Sequence, residues 1–82
     1  MIFAEVVMVE LAAGITVDPA VRFGKPVILG TRVPVDTVVA RVANGMTIKN
    51  VAEEYGITEN DVYNALRYAA LRLAEEQVWA TS

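Results

Sequence analysis

Residues Thr47–Val62, T-I-K-N-V-A-E-E-Y-G-I-T-E-N-D-V, decide how this chain is read. Thr47 suits an N-cap, and Ile48, Val51, Ala52 and Tyr55 follow at the i, i+3, i+4, i+7 spacing of one buried helical face. Lys49, Asn50, Glu53 and Glu54 fall on the opposite face. Gly56 permits the left-handed backbone that closes a helix, and Ile57 turns inward. Thr58 with Asp61 three residues on is a capping-box variant that opens the next helix. A short apolar helix, a small residue at the tight contact (Ala52), a glycine turn and a capped second helix make a helix-turn-helix pattern. Such pairs bind DNA in some proteins and serve dimerisation or plain architecture in others. Spacing leaves both open.

Downstream, Val62, Leu66, Ala69, Ala70 and Leu73 form the core face expected of the third helix, which has the composition to continue to Val78 or Trp79. Upstream, Val35, Val38, Val39 and Val42 repeat the buried spacing. Asp36 and Thr37 suit a first turn and Asn44-Gly45 a stop, which predicts a helix over Val35–Ala43 with Arg41 solvated on its outer side.

Before that helix lies Gly24–Val35, G-K-P-V-I-L-G-T-R-V-P-V. Its glycines allow positive φ while Pro26 and Pro34 fix φ and remove ladder donors, so it reads as a stiff hairpin or bulged ribbon with a strand over Val27–Leu29. Its Gly, Lys and Thr are in the wrong order for a phosphate-binding loop, which needs Lys directly after the second Gly. Ala20–Phe23 is a link. Ile15–Val17 reads as a short strand ended by Asp18-Pro19. Ile2–Leu11 is β-branched and apolar and reads as a strand ended by Ala13-Gly14, with a helix as the alternative. Glu5 and Glu10 fall on opposite faces, so the strand is either buried on both or pairs across a dimer.

The expected fold is therefore α+β, mainly α. Short N-terminal strands and a β-ribbon (residues 1–34) precede a three-helix, winged-helix-like bundle (residues 35–82), all in one domain of 82 residues. A hydrophobic content of 55% is high for so small a domain, and a second subunit is the expected cover. The sequence holds neither Cys nor His. Disulfides, thiolate chemistry, imidazole bases and the usual zinc sites are excluded, and no catalytic constellation or cofactor site can be assembled from spacing. No apolar run is long enough to span a membrane, and Met1–Gly14 lacks a basic leading segment, so a cytoplasmic location is expected.

The net charge of −3 speaks against nucleic acid until it is divided. Glu5, Glu10 and Asp18 give −3 over residues 1–19. Arg22, Lys25, Arg32, Arg41 and Lys49 against Asp36 give +4 over residues 20–50. Arg67 and Arg72 against Glu53, Glu54, Glu59, Asp61, Glu75 and Glu76 give −4 over residues 51–82. A basic centre between acidic ends is suited to phosphate in the middle and a basic partner at the ends.

Ile15, Asp18, Pro19, Gly24, Pro26, Ile28, Gly30, Thr31, Arg32, Pro34 and Val35 match the pattern I-x-x-D-P … G-x-P-x-I-x-G-T-R-x-P-V. On these residues the chain, from about Ile15 to Leu73, resembles a small prokaryotic family, domain of unknown function four-three-three. The resemblance implies a winged-helix-like fold and an antitoxin-like role of the VapB general type, beside a PIN-like ribonuclease toxin. Operator DNA bound by a homodimer belongs to the same expectation.

Two groups of residues carry these roles. If the third helix enters a major groove, it offers Asn60, Tyr63, Asn64 and Arg67. Asn pairs bidentately with adenine, and Arg67 reaches guanine or phosphate. Glu59 and Asp61 oppose phosphate there unless they serve the helix start. Lys25 and Arg32, with Arg22 and Lys49, are the candidate phosphate contacts or wing. For Arg32 the competing expectation is a half-buried guanidinium that binds carbonyls or pairs with Asp18 or Asp36. The acidic, apolar stretch with Glu75, Glu76 and Trp79 suits either docking onto a basic groove of a partner or a dimer helix.

Overall fold

The structure, a computed structural model, describes residues 8–76. Its helices follow the expected bounds: α1 spans Val35–Ala43, α2 Ile48–Tyr55 and α3 Glu59–Glu75. Thr47 Oγ1 accepts the Asn50 N–H at 3.1 Å and starts α2. Gly56 (φ 65°) sits in left-handed backbone and ends it. Thr58 and Asp61 form the reciprocal capping box of α3, each side chain accepting the other's backbone N–H at 3.0 Å. The helix-turn-helix is thus fixed at both ends of its turn by bonds that lie within a few residues of sequence.

The strands form one antiparallel sheet in the order β1-β2-β3, with β1 at Val9–Ala12, β2 at Ile15–Val17 and β3 at Val27–Ile28. β1 and β2 make a hairpin through Ala13-Gly14, with a register irregularity between Glu10 and Ala12. The ribbon closes back on β3: Ile28 N–H donates to the Val33 carbonyl at 3.0 Å, and Val27 bridges to Pro34. Ile15 and Ile28 on the sheet, Val35 and Val38 on α1, Val51 and Ala52 on α2, and Val62 and Ala65 on α3 form one buried cluster. The molecule is a mainly helical α+β fold of winged-helix-like character in which the wing precedes the helices.

Four expectations are corrected. The core face of α3 is Val62 and Ala65, with Leu66 and Ala69 half-buried, whereas Ala70 is exposed and Leu73 is 67% exposed. The reason is length. α3 has 17 residues against 9 and 8 in α1 and α2. At 1.5 Å per residue, its roughly 25 Å outruns the ~13 Å of its neighbours. Second, α3 ends at Glu75, short of the expected continuation, and Val78 and Trp79 lie outside the described residues. Third, of the two alternatives for the first strand, burial on both faces does not hold for its described part, β1. Val9, Glu10 and Leu11 are all exposed, and among the described residues β1 lies at the edge of the sheet. The expected strand over Ile2–Leu11 falls mostly outside the described residues. Fourth, Arg41 is exposed but not merely solvated. Its Nε donates to the Tyr55 hydroxyl at 2.9 Å, a bond that ties α1 to α2 and raises the Arg41 pKa.

Candidate nucleic-acid interface

The G-T-R turn of the ribbon is held by Thr31, not by the Arg32 side chain. Thr31 Oγ1 donates to the Ile28 carbonyl at 2.8 Å and accepts the Val33 N–H at 3.0 Å, while Thr31 N–H donates to the same Ile28 carbonyl at 3.0 Å. Gly30, at φ 76°, supplies the left-handed corner. The Arg32 side chain is exposed and forms neither the Asp18 nor the Asp36 pair expected for it. Asp36 is taken by Lys25, whose Nζ lies 2.9 Å from Asp36 Oδ2, and Asp18 Oδ1 accepts the Ala20 N–H at 2.8 Å. The Arg32 contribution to architecture is its carbonyl, which accepts a hydrogen bond from Arg22 Nε at 3.1 Å. That bond holds the Arg22 guanidinium against the ribbon backbone at Arg32.

On α3, Asn60, Tyr63 and Arg67 recur at i, i+3, i+7 and are exposed together on the face opposite Val62 and Ala65. Asn64 stands at the edge of this face and is already engaged. Its Oδ1 accepts from the Arg67 guanidinium at 2.8 Å, and its Nδ2 lies where a Cβ on Gly14 would come within 2.5 Å. Gly14 is also joined to the ribbon, because its carbonyl accepts the Leu29 N–H at 2.9 Å. The hairpin turn, the ribbon and α3 therefore meet at one seam, and the Arg67 head is held beside it.

The acidic residues at the start of α3 divide. Asp61 is committed to the cap, whereas Glu59 is exposed. Lys49 is exposed in the first turn of α2. Lys25, also a candidate, is exposed but paired. Its ammonium hydrogen-bonds Asp36 and, against some desolvation, holds that carboxyl below the usual range. Lys25 and Asp36 instead flank an apolar groove of about 450 Å³ between α1 and α3, lined by Val35, Val39, Tyr68 and Ala69. Glu75 pairs with Arg72 at 3.2 Å and Glu76 caps the helix end, both exposed. Trp79 lies outside the described residues.

One residue escaped the sequence reading. Phe23, placed in a link, is fully exposed between Arg22 and Gly24 on a short turn of left-handed backbone. The available signal was the run R-F-G-K, an aromatic between cations followed by a residue that tolerates positive φ.

These features define a class: a compact helix-turn-helix domain with a basic ribbon ahead of its helices. The family model described as "Protein of unknown function (DUF433)" matches residues 15–69, and the chain belongs to that family. Among solved structures it is similar to the X-ray crystal structure of Rv2018 from Mycobacterium tuberculosis, at 35% sequence identity and a TM-score of 0.61. That likeness covers 66% of this chain and only 25% of the other, so the chain spans about a quarter of that relative. No curated protein matches at a significant level. Among the described residues, no helix is long and apolar enough to cross a membrane.

Proposed function

We propose that this chain is a helix-turn-helix module that binds operator DNA as a homodimer. The observation that carries the reading is the rigid α2–turn–α3 unit, which turns Asn60, Tyr63 and Arg67 outward on one face. Arg22, Arg32 and Lys49 supply phosphate contacts around it, and those contacts set register while the Asn and Arg side chains read base edges. The exposed edge strand β1, with Met8, Val9 and Leu11 uncovered, supports a second copy as the dimer partner.

The test is a titration of the purified protein on its upstream duplex across a salt series. Affinity should fall steeply with salt, and the slope should lose about one unit in Arg32→Ala. A salt-independent or absent interaction refutes DNA binding. Unfolding of Arg32→Ala would return Arg32 to an architectural role.

A second reading, an antitoxin-like protein that engages a PIN-like ribonuclease toxin, is supported by the distal part of α3. Leu71, Leu73, Glu75 and Glu76 are all exposed there, an apolar and acidic combination suited to a protein partner with a basic rim. Pull-down from the native host with mass spectrometry tests it. A stoichiometric small nuclease is expected, and a clean preparation would sink the reading.

A further inference from the structure

Phe23 is exposed to 104% of its reference area, so it gives the fold no packing at all. The backbone that displays it is nevertheless specialised. Arg22 and Phe23 have φ of 51° and 56°, and Gly24 follows at 80°. Left-handed backbone is unfavourable for a residue with a side chain, and a bulky aromatic is a poor choice for it. Two such residues in succession persist only where the surroundings hold them.

Here the surroundings do hold them. Val21 N–H donates to the Asp18 carbonyl at 2.9 Å, Gly24 N–H to Val21 and Lys25 N–H to Arg22, both at 3.1 Å. Arg22 Nε anchors the turn to the Arg32 carbonyl. The result is a stiff tip with one bare aromatic ring beside Arg22, whose guanidinium reaches the Arg32 backbone, while Asp18 stands at the base of the turn and Asp36 is paired with Lys25. α2 and α3, by contrast, are predominantly acidic.

We propose that Phe23 is a wedge for duplex DNA, entering the minor groove and unstacking one base step while Arg22 and Arg32 bind the flanking phosphates. The proposal rests on the DNA-binding reading above and adds a second contact point to it. The chemistry follows from the tip. Same-sign cations around an apolar ring suit a polyanion with an apolar interior, and single apolar side chains inserted at a base step are how minor-groove binders kink a duplex. Single-stranded binders instead stack successive bases on several aromatics along a groove, and this tip has one. Pyrimidine–purine steps such as TA unstack most readily, so they are the preferred target.

The experiment uses two labelled duplexes of about 20–30 base pairs, one with a central TA step and one G·C-rich throughout, each with a fluorescent aminopurine at the centre. Wild-type protein is compared with Phe23→Gly and Arg32→Gln across a salt series that starts at low salt. Phe23→Gly removes the ring from a position whose φ suits glycine, so its melting temperature should equal or exceed the wild-type value. The wild type should bind the TA duplex more tightly and brighten its reporter. Phe23→Gly should bind about tenfold more weakly without brightening, and Arg32→Gln should flatten the salt slope by about one unit. If Phe23→Gly binds and brightens like the wild type, the wedge is wrong and the DNA-binding reading stands. If the wild type binds without brightening, the ring does not unstack a step and the wedge is again wrong. If the wild type ignores both duplexes, wedge and DNA-binding reading fall together, and retention of a host protein that depends on Phe23 would reassign the tip to a protein partner.

Discussion

The helical half and the sheet half of this molecule solve the same problem by different means. From Val35 onward, every turn is closed by residues next to it: Thr47 and Thr58 cap their helices, and left-handed backbone falls on Gly45 and Gly56, which tolerate it. Before Val35, strands of two to four residues are held by bonds across the sequence, such as Leu29 to Gly14 and Arg22 to Arg32. There, left-handed backbone also falls on Arg22 and Phe23. A half built by local rules carries little strain. The other half stores strain at Arg22 and Phe23, held by three short-range bonds and by the Arg22–Arg32 bond, and it is also where the bare aromatic lies.

The comparison predicts that the sheet half is the more easily damaged. Ile28 is fully buried where the sheet meets the helices, and Ile28→Ala should remove about 2–5 kcal/mol, measured by chemical denaturation. Gly14→Ala should cost about 1–3 kcal/mol, since the new Cβ meets Asn64 and φ is 75°. Adding Asn64→Ala should recover the clash but not the backbone strain, so the double mutant should be more stable than the sum of the singles. Thr58→Ala tests the helical half and should cost about 1 kcal/mol in thermal melts. If it costs more than Ile28→Ala, the contrast drawn here fails.

The smallest effect is electrostatic. Lys25 lowers the Asp36 pKa, so the pair stabilises the fold at pH values above the ordinary Asp pKa and the contribution is lost as pH falls through the lowered value. Both side chains are more than half exposed, which limits the contribution to about a few tenths of a kcal/mol. Denaturation midpoints at pH 6 and in the acid range, about pH 3 and below, should converge slightly between wild type and Lys25→Met.

The helices were legible because their signals repeat within a few residues: Val35, Val38 and Val42 mark a face, Thr58 and Asp61 a cap. The misreading of Ala70 and Leu73 came from outside that range. Periodicity identifies a face but not whether a neighbour is long enough to cover it. Of the two expectations for Arg32, the half-buried guanidinium gives way because the smaller Thr31 hydroxyl, able both to donate and to accept, holds the G-T-R corner and leaves Arg32 exposed. For Phe23 the run R-F-G-K signals an aromatic among cations, but not the left-handed turn that holds its ring outward.

The unmatched length of α3 has a consequence for how the helix melts. Ala70–Glu76, A-L-R-L-A-E-E, is exposed throughout and composed of strong helix formers. Its helicity therefore depends on propensity and on the Arg72–Glu75 pair rather than on the core. In hydrogen exchange, the amides of Val62 and Ala65 should open only with global unfolding, whereas those beyond Ala70 should exchange by fraying, at rates insensitive to core mutations such as Ile28→Ala. The distal end of α3 should behave as a short peptide helix attached to a cooperative domain.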